Sequence, residues 1–330
     1  MERSNIQPLA THYQVIAQCR DILNQRILGQ SALIDRLIIA LLSDGHLLVE
    51  GAPGLAKTKA IKELASLIQA DFSRMQFTPD LLPSDLTGSD VYRPDDGSFI
   101  FQPGPVFHNV VLADEVNRAP AKVQSALLEA MGERQVTVGR KTYLLPTLFM
   151  VMATQNPIEQ EGTYPLPEAQ LDRFLMYVKV DYPQADTEHA ILALARAEEN
   201  ATTPSHQPKA MMSQEVILAA RHQVTKVHLS PELDKYLIQI IMATRQPKRY
   251  GEQLQSWLRF GASPRATIAL DRCARAHAWL NHRDFVTPED IHAVVHDVLR
   301  HRILLTFTAE AEGISTDEVI DALLALIAIP

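Results

Sequence analysis

The spacing of hydrophobic residues changes part of the way along the chain. Up to about residue 182, short apolar runs alternate with segments of helical periodicity, a pattern typical of a parallel sheet covered by helices on both faces. Two amphipathic helices are predicted ahead of the first strand, at 13–28 and 33–41, with a break at Gly29-Gln30. Five apolar runs are predicted as strands: residues 47–50, 72–77, 110–114, 148–154 and 174–180.

The second half of the chain has helical spacing alone. Helices are predicted at 232–245, 266–280 and 287–299, and a capping box from Ser315 to Glu318 predicts a terminal helix. Residues 201–209 are polar and contain proline, which indicates an exposed loop. We therefore predict an αβα domain over residues 1–182 and a helical domain over residues 183–330.

Two segments interrupt the alternation of the first half. Residues 90–105 place Pro94-Asp95-Asp96-Gly97 between two β-prone runs, and residues 135–145 place Gly139 between alternating apolar positions. Both patterns predict β-hairpins. A minimal nucleotide-binding sheet needs neither hairpin, so both are candidates for contact with a partner.

A phosphate-binding loop is predicted directly after the first strand. A glycine-rich turn between a strand and a helix directs backbone N–H groups and the positive end of the helix dipole at one point, which stabilises an anion. Lys57 adds a charge for the β- and γ-phosphates, and the Thr58 hydroxyl is expected to contact Mg²⁺. Ala56 stands where such a loop usually has glycine. The predicted nucleotide-binding residues are Gly51, Ala52, Pro53, Gly54, Leu55, Ala56, Lys57 and Thr58.

Two adjacent carboxylates follow the third predicted strand. The carboxyl ends of parallel strands meet at the nucleotide site, so Asp114 and Glu115 are expected there. Asp114 is predicted to bind the nucleotide through Mg²⁺, together with Thr58. Glu115 is predicted to orient and polarise a water molecule for attack on the γ-phosphate.

Composition disfavours several other classes of protein. The chain has 330 residues, 46% of them hydrophobic, and a formal charge of −8, which makes sequence-independent binding to nucleic acid unexpected. No apolar run reaches the ~18 residues that span a bilayer, and the amino terminus lacks a signal-peptide core, so we expect a cytoplasmic protein. Cys19 and Cys273 are predicted to be reduced core thiols. His292 and His296 share a helix face, but no third ligand accompanies them as a zinc site requires.

These motifs together resemble the AAA+ ATPases, and within them the MoxR group, over nearly the whole chain. Residues 51–58 are similar to that group's P-loop, including the alanine before the lysine, and residues 114–119 to its Walker B segment. The resemblance implies catalytic roles for Asn156 as sensor 1, for Arg173 as an arginine finger directed at a neighbouring subunit, and for Arg265 as sensor 2. It also implies that Gln30 lines the adenine pocket, while Gln76 and Arg118 have either a coupling or a purely structural role.

The same resemblance implies a fold and a function. The fold is an AAA+ P-loop NTPase core with a five-stranded parallel sheet, in which the hairpins are the helix 2 insert and the pre-sensor 1 hairpin, and residues 183–330 are an all-α lid. The function is ATP hydrolysis in a homo-oligomeric ring, a hexamer, that assembles, remodels or activates client protein complexes. We expect a partner with a von Willebrand factor A domain, on a separate polypeptide.

Two alternatives stay open at this point. The first is a nucleic-acid motor, which the basic residues Arg140 and Lys141 at the tip of the second hairpin would favour. The second is a motor subunit similar to those of the metal chelatases, where the chemistry belongs to a partner protein. The sequence of this chain would look much the same in that second case.

Overall fold

The structure, a computed structural model, describes residues 7–157, 162–200 and 210–330, so the loop predicted at 201–209 lies outside the described residues. Packing divides the chain into two units: Met1–Leu166 with Val178–Ala219, and Pro167–Tyr177 with Ala220–Pro330. This division differs from the boundary predicted between residues 182 and 183. Residues 167–177 pack with the helical half of the chain, whereas the described residues 183–200 and 210–219 pack with the first unit.

Strands and helices alternate in the first half of the chain. In chain order they are α1 (Gln7–Arg26), α2 (Ser31–Leu42), β1 (Leu47–Gly51), α3 (Lys57–Leu67), β2 (Phe72–Gln76), α4 (Pro83–Thr87), β3 (Gly88–Arg93), β4 (Ser98–Pro103), β5 (Val110–Asp114), α5 (Ala121–Glu133), β6 (Gln135–Val138), β7 (Lys141–Leu144), β8 (Met150–Gln155), α6 (Glu168–Leu171) and β9 (Met176–Val180). Each strand predicted from the apolar runs is present, with its ends shifted by two residues at most.

Five of these strands form one sheet, in the order β2-β5-β8-β1-β9. β1 pairs with β8, β8 with β5 and β5 with β2, all in parallel, which confirms the fold class expected from the alternation of elements. The strand β5 is buried along its whole length, as its apolar composition requires. Because the strands run in one direction, the residues that follow β1, β5 and β8 lie at one edge of the sheet.

Both predicted hairpins are present as antiparallel pairs, β3 with β4 and β6 with β7. Gly97 (φ 70°) and Gly139 (φ 61°) provide the left-handed residues at their turns. The Phe101 and Tyr143 rings stack with their centroids 4.0 Å apart, so the two hairpins contact each other.

The second half of the chain is helical. Its elements are α7 (Ala185–Asn200), α8 (Gln214–Val224), α9 (Pro231–Arg245), α10 (Glu252–Trp257), β10 (Leu258–Phe260), α11 (Pro264–Leu280), α12 (Pro288–Leu299), β11 (Leu304–Leu305), α13 (Phe307–Ala311) and α14 (Thr316–Leu326). Capping boxes open α12 and α14, and the one at α14 is the box predicted from Ser315 to Glu318. The ribbon of β10 and β11 is not predicted, because two- and three-residue strands are too short to show a period.

Burial agrees with the apolar pattern of the helices. Cys19 and Cys273 are both buried and free of disulfides, in accordance with their predicted role as core thiols. Among the described residues, no helix is long and apolar enough to cross a membrane.

Candidate active site

The turn between β1 and α3 contains two left-handed residues, Gly54 (φ 86°) and Ala56 (φ 55°). Left-handed backbone costs an alanine energy that it does not cost glycine, which explains why glycine is usual at the position of Ala56. A Cβ atom on Gly51 would lie 2.8 Å from the carbonyl oxygen of Val180, so this glycine is required by packing. Ala52 is buried, and the exposed residues Pro53 and Gly54 form the tip of the loop.

Lys57 is the first residue of α3, and its ammonium group points back along the loop. Nζ donates hydrogen bonds to the carbonyl oxygens of Gly51 and, at 3.5 Å, of Gln155. Burial lowers the pKa of Lys57, and the carboxylates of Asp114 and Glu115 oppose that fall. The charge of Lys57 thus lies near the two acids that the sequence predicts for the site.

Asp114 accepts hydrogen bonds at both carboxylate oxygens. The Thr154 hydroxyl donates to Oδ1 at 2.6 Å, and the Arg74 guanidinium donates to Oδ2 through Nη2 at 2.7 Å and Nε at 3.2 Å. Register explains these contacts, since β5 lies between β2, which contributes Arg74, and β8, which contributes Thr154. Neither residue was assigned a role from sequence.

Glu115 has a left-handed backbone (φ 56°) directly after β5. Its backbone N–H donates to the Thr154 hydroxyl at 2.9 Å. Its Oε2 atom accepts hydrogen bonds from Gln76 Nε2 at 2.7 Å and from Arg118 Nη1 at 3.1 Å. Gln76 and Arg118, whose roles the sequence left open, therefore both hold the side chain of this glutamate.

The P-loop, the two acids that end β5 and the end of β8 line one cleft of about 300 Å³. Its lining contains the predicted catalytic residues Glu115 and Asn156, the latter 7% exposed, and both predicted metal-binding residues, Thr58 and Asp114. The full lining is Pro53, Gly54, Leu55, Ala56, Lys57, Thr58, Asp114, Glu115, Thr154, Gln155 and Asn156. The structure thus brings together residues from the ends of three strands.

A second cavity of about 200 Å³ lies on the other side of the P-loop. It shares Gly54, Leu55 and Ala56 with the cleft, and Gln30 lines it together with apolar residues of α7 such as Ile191. An elongated ligand could therefore pass the loop, with an anionic part in the first cavity and a flat apolar part in the second.

Arg173 and Arg265, the two predicted catalytic arginines, both belong to the second unit. Arg265 follows the first residue of α11, and its Nη1 atom lies 3.9 Å from Asp172 Oδ2. The backbone N–H of Arg173 donates to the carbonyl oxygen of Gln170 at 3.1 Å. The two arginines are therefore held close to one aspartate, Asp172, which directly precedes Arg173.

The histidines of α12 have ordinary hydrogen-bond partners. His292 Nε2 lies 2.6 Å from the Tyr236 hydroxyl, and His296 Nε2 lies 2.8 Å from Asp321 Oδ1. No group of three or more His, Cys, Asp or Glu side chains suited to a metal ion occurs in the part of the chain that the structure describes.

Comparison with known proteins identifies two family domains in this chain. The family described as "ATPase family associated with various cellular activities (AAA)" matches residues 46–176, and the AAA lid domain matches residues 255–323.

Three similar proteins cover most of the chain. The chaperone MoxR1 of Mycobacterium tuberculosis is 46% identical over 305 residues, which cover 92% of this chain and 79% of that protein. The protein MoxR of Paracoccus denitrificans is 35% identical over 323 residues, with 93% and 94% covered. The crystal structure of a putative ATPase from Cytophaga hutchinsonii has a TM-score of 0.90 at 47% identity and covers 98% of this chain, which covers 97% of it.

Proposed function

Because the chain belongs to the MoxR family of AAA+ ATPases, we propose that it hydrolyses ATP in a ring and thereby assembles, remodels or activates partner protein complexes. The observation that carries the proposal is the convergence of Lys57, Asp114, Glu115 and Asn156 on one cleft beside the P-loop. Phosphoryl transfer to water uses four such groups: a lysine that contacts the phosphates, an acid that binds the metal, a general base, and an amide that contacts the phosphate or the water.

The proposed position of the nucleotide follows from the two cavities. The triphosphate contacts the loop N–H groups and Lys57, whose ammonium exchanges carbonyl oxygens for phosphate oxygens. The base enters the cavity beside Gln30. Thr58 and Asp114 offer the hard oxygen ligands that Mg²⁺ prefers, and Asp114 Oδ1, which accepts one hydrogen bond from Thr154, has a second lone pair, so these residues fit the ion. When bound there, Mg²⁺ would neutralise charge on the β- and γ-phosphates.

Glu115 is the proposed general base for the attacking water. Gln76 and Arg118 both bond its Oε2 atom, so Oε1 is the oxygen that faces a water molecule with fewer competing donors. The Thr154 hydroxyl accepts from the Glu115 N–H and donates to Asp114, and so fixes the two acids relative to each other. Asn156 offers a donor and an acceptor to the γ-phosphate or the water.

The ring enters the proposal through Arg173 and Arg265. A guanidinium stabilises the charge that spreads over the γ-phosphate oxygens in the transition state, an effect of about 10³-fold or more in related reactions. We assign Arg173 to the γ-phosphate of the adjacent subunit in a homohexamer, and Arg265 to the sensing of nucleotide. A single subunit is then catalytically incomplete.

The two hairpins are the proposed client-binding elements. The first has four large apolar side chains that are between 40% and 69% exposed, namely Val91, Tyr92, Phe99 and Ile100. Exposed apolar residues on a small hairpin suit contact with a protein. We include in the proposal a separate partner with a von Willebrand factor A domain.

Hydrolysis is tested with Glu115→Gln, which keeps the size of the side chain and removes the base. ATP turnover is expected to fall by about 10²- to 10⁴-fold, whereas binding of a fluorescent ATP analogue is retained. Glu129→Gln, an exposed position on α5, is the matched control and should turn over ATP at the wild-type rate. Turnover by Glu115→Gln at the wild-type rate would refute the assignment of the base.

The client is tested by affinity capture from native lysate with Glu115→Gln in the presence of ATP and Mg²⁺. Lys57→Ala, which should not hold the nucleotide, is the control. Recovery of a protein complex by the first variant alone supports remodelling. Recovery of nucleic acid that disappears on nuclease treatment would instead support the motor alternative, in which Arg140 and Lys141 at the hairpin tip contact the strand.

A further inference from the structure

The segment that contains Arg173 packs with the second unit of the chain, which is called the helical unit from here on. Residues Pro167–Tyr177 form part of the second compact unit, although they precede the last strand of the sheet in the sequence. Arg265 is in that unit as well. The two arginines that the proposed reaction needs therefore share one packing unit, and the contacts within that unit decide where Arg173 lies.

Three consecutive residues hold this segment by its backbone. Arg302 is 2% exposed and uses all five of its N–H donors: Nε bonds Asp172 Oδ1 at 2.8 Å, and the two terminal nitrogens bond carbonyl oxygens. Three of those carbonyls belong to the segment, at Asp172, Phe174 and Leu175. His301 Nε2 lies 3.2 Å from the Phe174 carbonyl oxygen, and Arg300 Nη1 donates to that of Tyr177 at 2.6 Å.

Asp172 links the buried Arg302 to the start of α11. Its Oδ1 atom bonds Arg302, whereas its Oδ2 atom accepts from the Ser263 hydroxyl at 2.8 Å and lies 3.9 Å from Arg265 Nη1. One carboxylate thus contacts the buried arginine on one side and the N-terminus of the sensor 2 helix on the other. The side chain of Arg265 is 57% exposed, so it can also reach other anions.

Hydrogen bonds from Arg302 fix the backbone on both sides of Arg173. The Asp172 and Phe174 carbonyl oxygens precede and follow that residue, and both accept from Arg302. Phe174 is fully buried, so the chain cannot rotate about this position without exposing it. The backbone of Arg173 is therefore set by Arg302, and the position of Arg302 is set by Asp172.

We propose that Asp172 and Arg302 are positioning residues for ATP hydrolysis, which hold Arg173 in a fixed relation to Arg265 within the second unit. The inference rests on the proposed function, since it assumes that Arg173 acts on the nucleotide of an adjacent subunit.

The test uses Asp172→Asn, which keeps the shape of the side chain and removes the charge that pairs with Arg302. Turnover is expected to fall by about 10- to 100-fold, the scale of a misplaced catalytic group. Binding of a fluorescent ATP analogue should stay within about twofold of wild type, because the nucleotide cleft belongs to the other unit. Asp271→Asn removes an acid of the same unit that pairs with Arg275 on α11, and should leave turnover unchanged.

Mixing subunits of two variants distinguishes a misplaced arginine finger from a loss of the fold or of the subunit's own nucleotide site. In an equimolar mixture, Glu115→Gln subunits supply an intact finger to the intact nucleotide site of Asp172→Asn subunits. Turnover should therefore rise well above the sum of the two separate variants. Arg302→Lys keeps the charge and loses the forked donors, so its turnover should also be low alone and rise in the mixture. This variant replaces Asp172→Asn in the test if Asp172→Asn does not fold.

Three outcomes are decisive. Rescue in the mixture supports the inference. Wild-type turnover by Asp172→Asn and Arg302→Lys, or a loss that Glu115→Gln subunits do not rescue, overturns it. Arg173→Ala distinguishes a failure of this inference from a failure of the proposed function. If Arg173→Ala is inactive and is rescued by Glu115→Gln subunits, Arg173 acts as the arginine finger, and only the positioning role of Asp172 and Arg302 is refuted.

Discussion

Two arginine–aspartate pairs, one in each unit, have opposite environments. In the nucleotide cleft, Arg74 is 52% exposed and bonds a single oxygen of Asp114. In the helical unit, Arg302 is 2% exposed, and burial lowers its pKa while Asp172 opposes that fall. An exposed pair costs little to separate, whereas breaking a buried pair leaves a charge without a partner. Asp114 can therefore exchange its cation, while Asp172 keeps the same one.

The two pairs suit the two proposed roles. An acid that must accept Mg²⁺ has to release another cation at small cost, and the half-exposed Arg74 meets that condition. An acid that fixes a finger has to resist such exchange. The contrast teaches that the same two residue types give a replaceable contact or a permanent one according to burial.

Stability measurements test the contrast most strongly. Arg302→Met is expected to lower the free energy of unfolding of the second unit by about 3–5 kcal/mol, because Asp172 loses its partner. Arg74→Met should change the stability of the first unit by less than about 1 kcal/mol. The chain has two tryptophans, Trp257 and Trp279, both in the second unit, so fluorescence in urea follows that unit and far-UV circular dichroism follows both. Equal losses would contradict the contrast.

A second buried acid tests whether burial is the cause. Burial raises the pKa of Asp290, but hydrogen bonds from His277, Arg283 and the Thr287 N–H outweigh it and hold that pKa well below its usual range. This stabilisation is fully present above the ordinary aspartate pKa and is lost progressively as the pH falls from there through the lower pKa of the folded protein. Asp290→Asn should cost about 3 kcal/mol at pH 7 and flatten the fall in stability below about pH 4.

Urea unfolding by tryptophan fluorescence across that pH range measures both effects. Asp271→Asn, in a half-exposed pair, is the control and should lower stability by less than about 1 kcal/mol. A variant Asp290→Asn with the acid sensitivity of the wild type would show that the depressed pKa of this carboxyl does not contribute to stability.

Thr154 joins the two acids of the cleft, and its loss should have a smaller effect on stability. Thr154→Val keeps the shape and removes the hydroxyl between Asp114 and the Glu115 N–H, at a cost of about 1–3 kcal/mol. Turnover should fall by about tenfold, with little change in the affinity for a fluorescent ATP analogue. Thr154→Ser keeps the hydroxyl and should restore most of the rate. Full turnover by Thr154→Val would remove the positioning role of this residue.

The smallest expected effect is at the P-loop backbone. Ala56→Gly should raise stability by up to about 1 kcal/mol, since glycine relieves the left-handed strain at φ 55° but gains entropy in the unfolded chain. Gly54→Ala should lower stability by about 1 kcal/mol, although its Cβ would enter open space. Thermal unfolding followed by far-UV circular dichroism compares the two. Destabilisation by Ala56→Gly would contradict the left-handed conformation.

Local patterns predicted much of the fold and part of the site. The apolar runs located the five strands, glycine turns located both hairpins, and the P-loop and the acidic pair led to the cleft that contains Lys57, Asp114 and Glu115. These features are short in sequence, and each has a local physical signature. The roles of Asn156, Arg173, Arg265 and Gln30 came from resemblance, and they stay predictions.

Contacts between distant segments could not be predicted. Arg302 meets Asp172 across 130 residues, and Arg74 meets Asp114 across 40. An arginine in a turn or on an edge strand, as Arg302 and Arg74 are, is indistinguishable in sequence from a solvated one. Thr154 is the last residue of the strand predicted at 148–154, and threonine is common in strands, so nothing marked its hydroxyl as a link between two acids.

The central claim is that one subunit completes the active site of another, and mixing two inactive variants tests it most directly. Arg173→Ala retains the cleft and loses the finger, whereas Glu115→Gln retains the finger and loses the base. In an equimolar mixture about one quarter of the interfaces in a randomly assembled ring combine an intact cleft with an intact finger, so ATP turnover should recover to about that fraction of wild type. Turnover no greater than the sum of the two separate variants would contradict the claim.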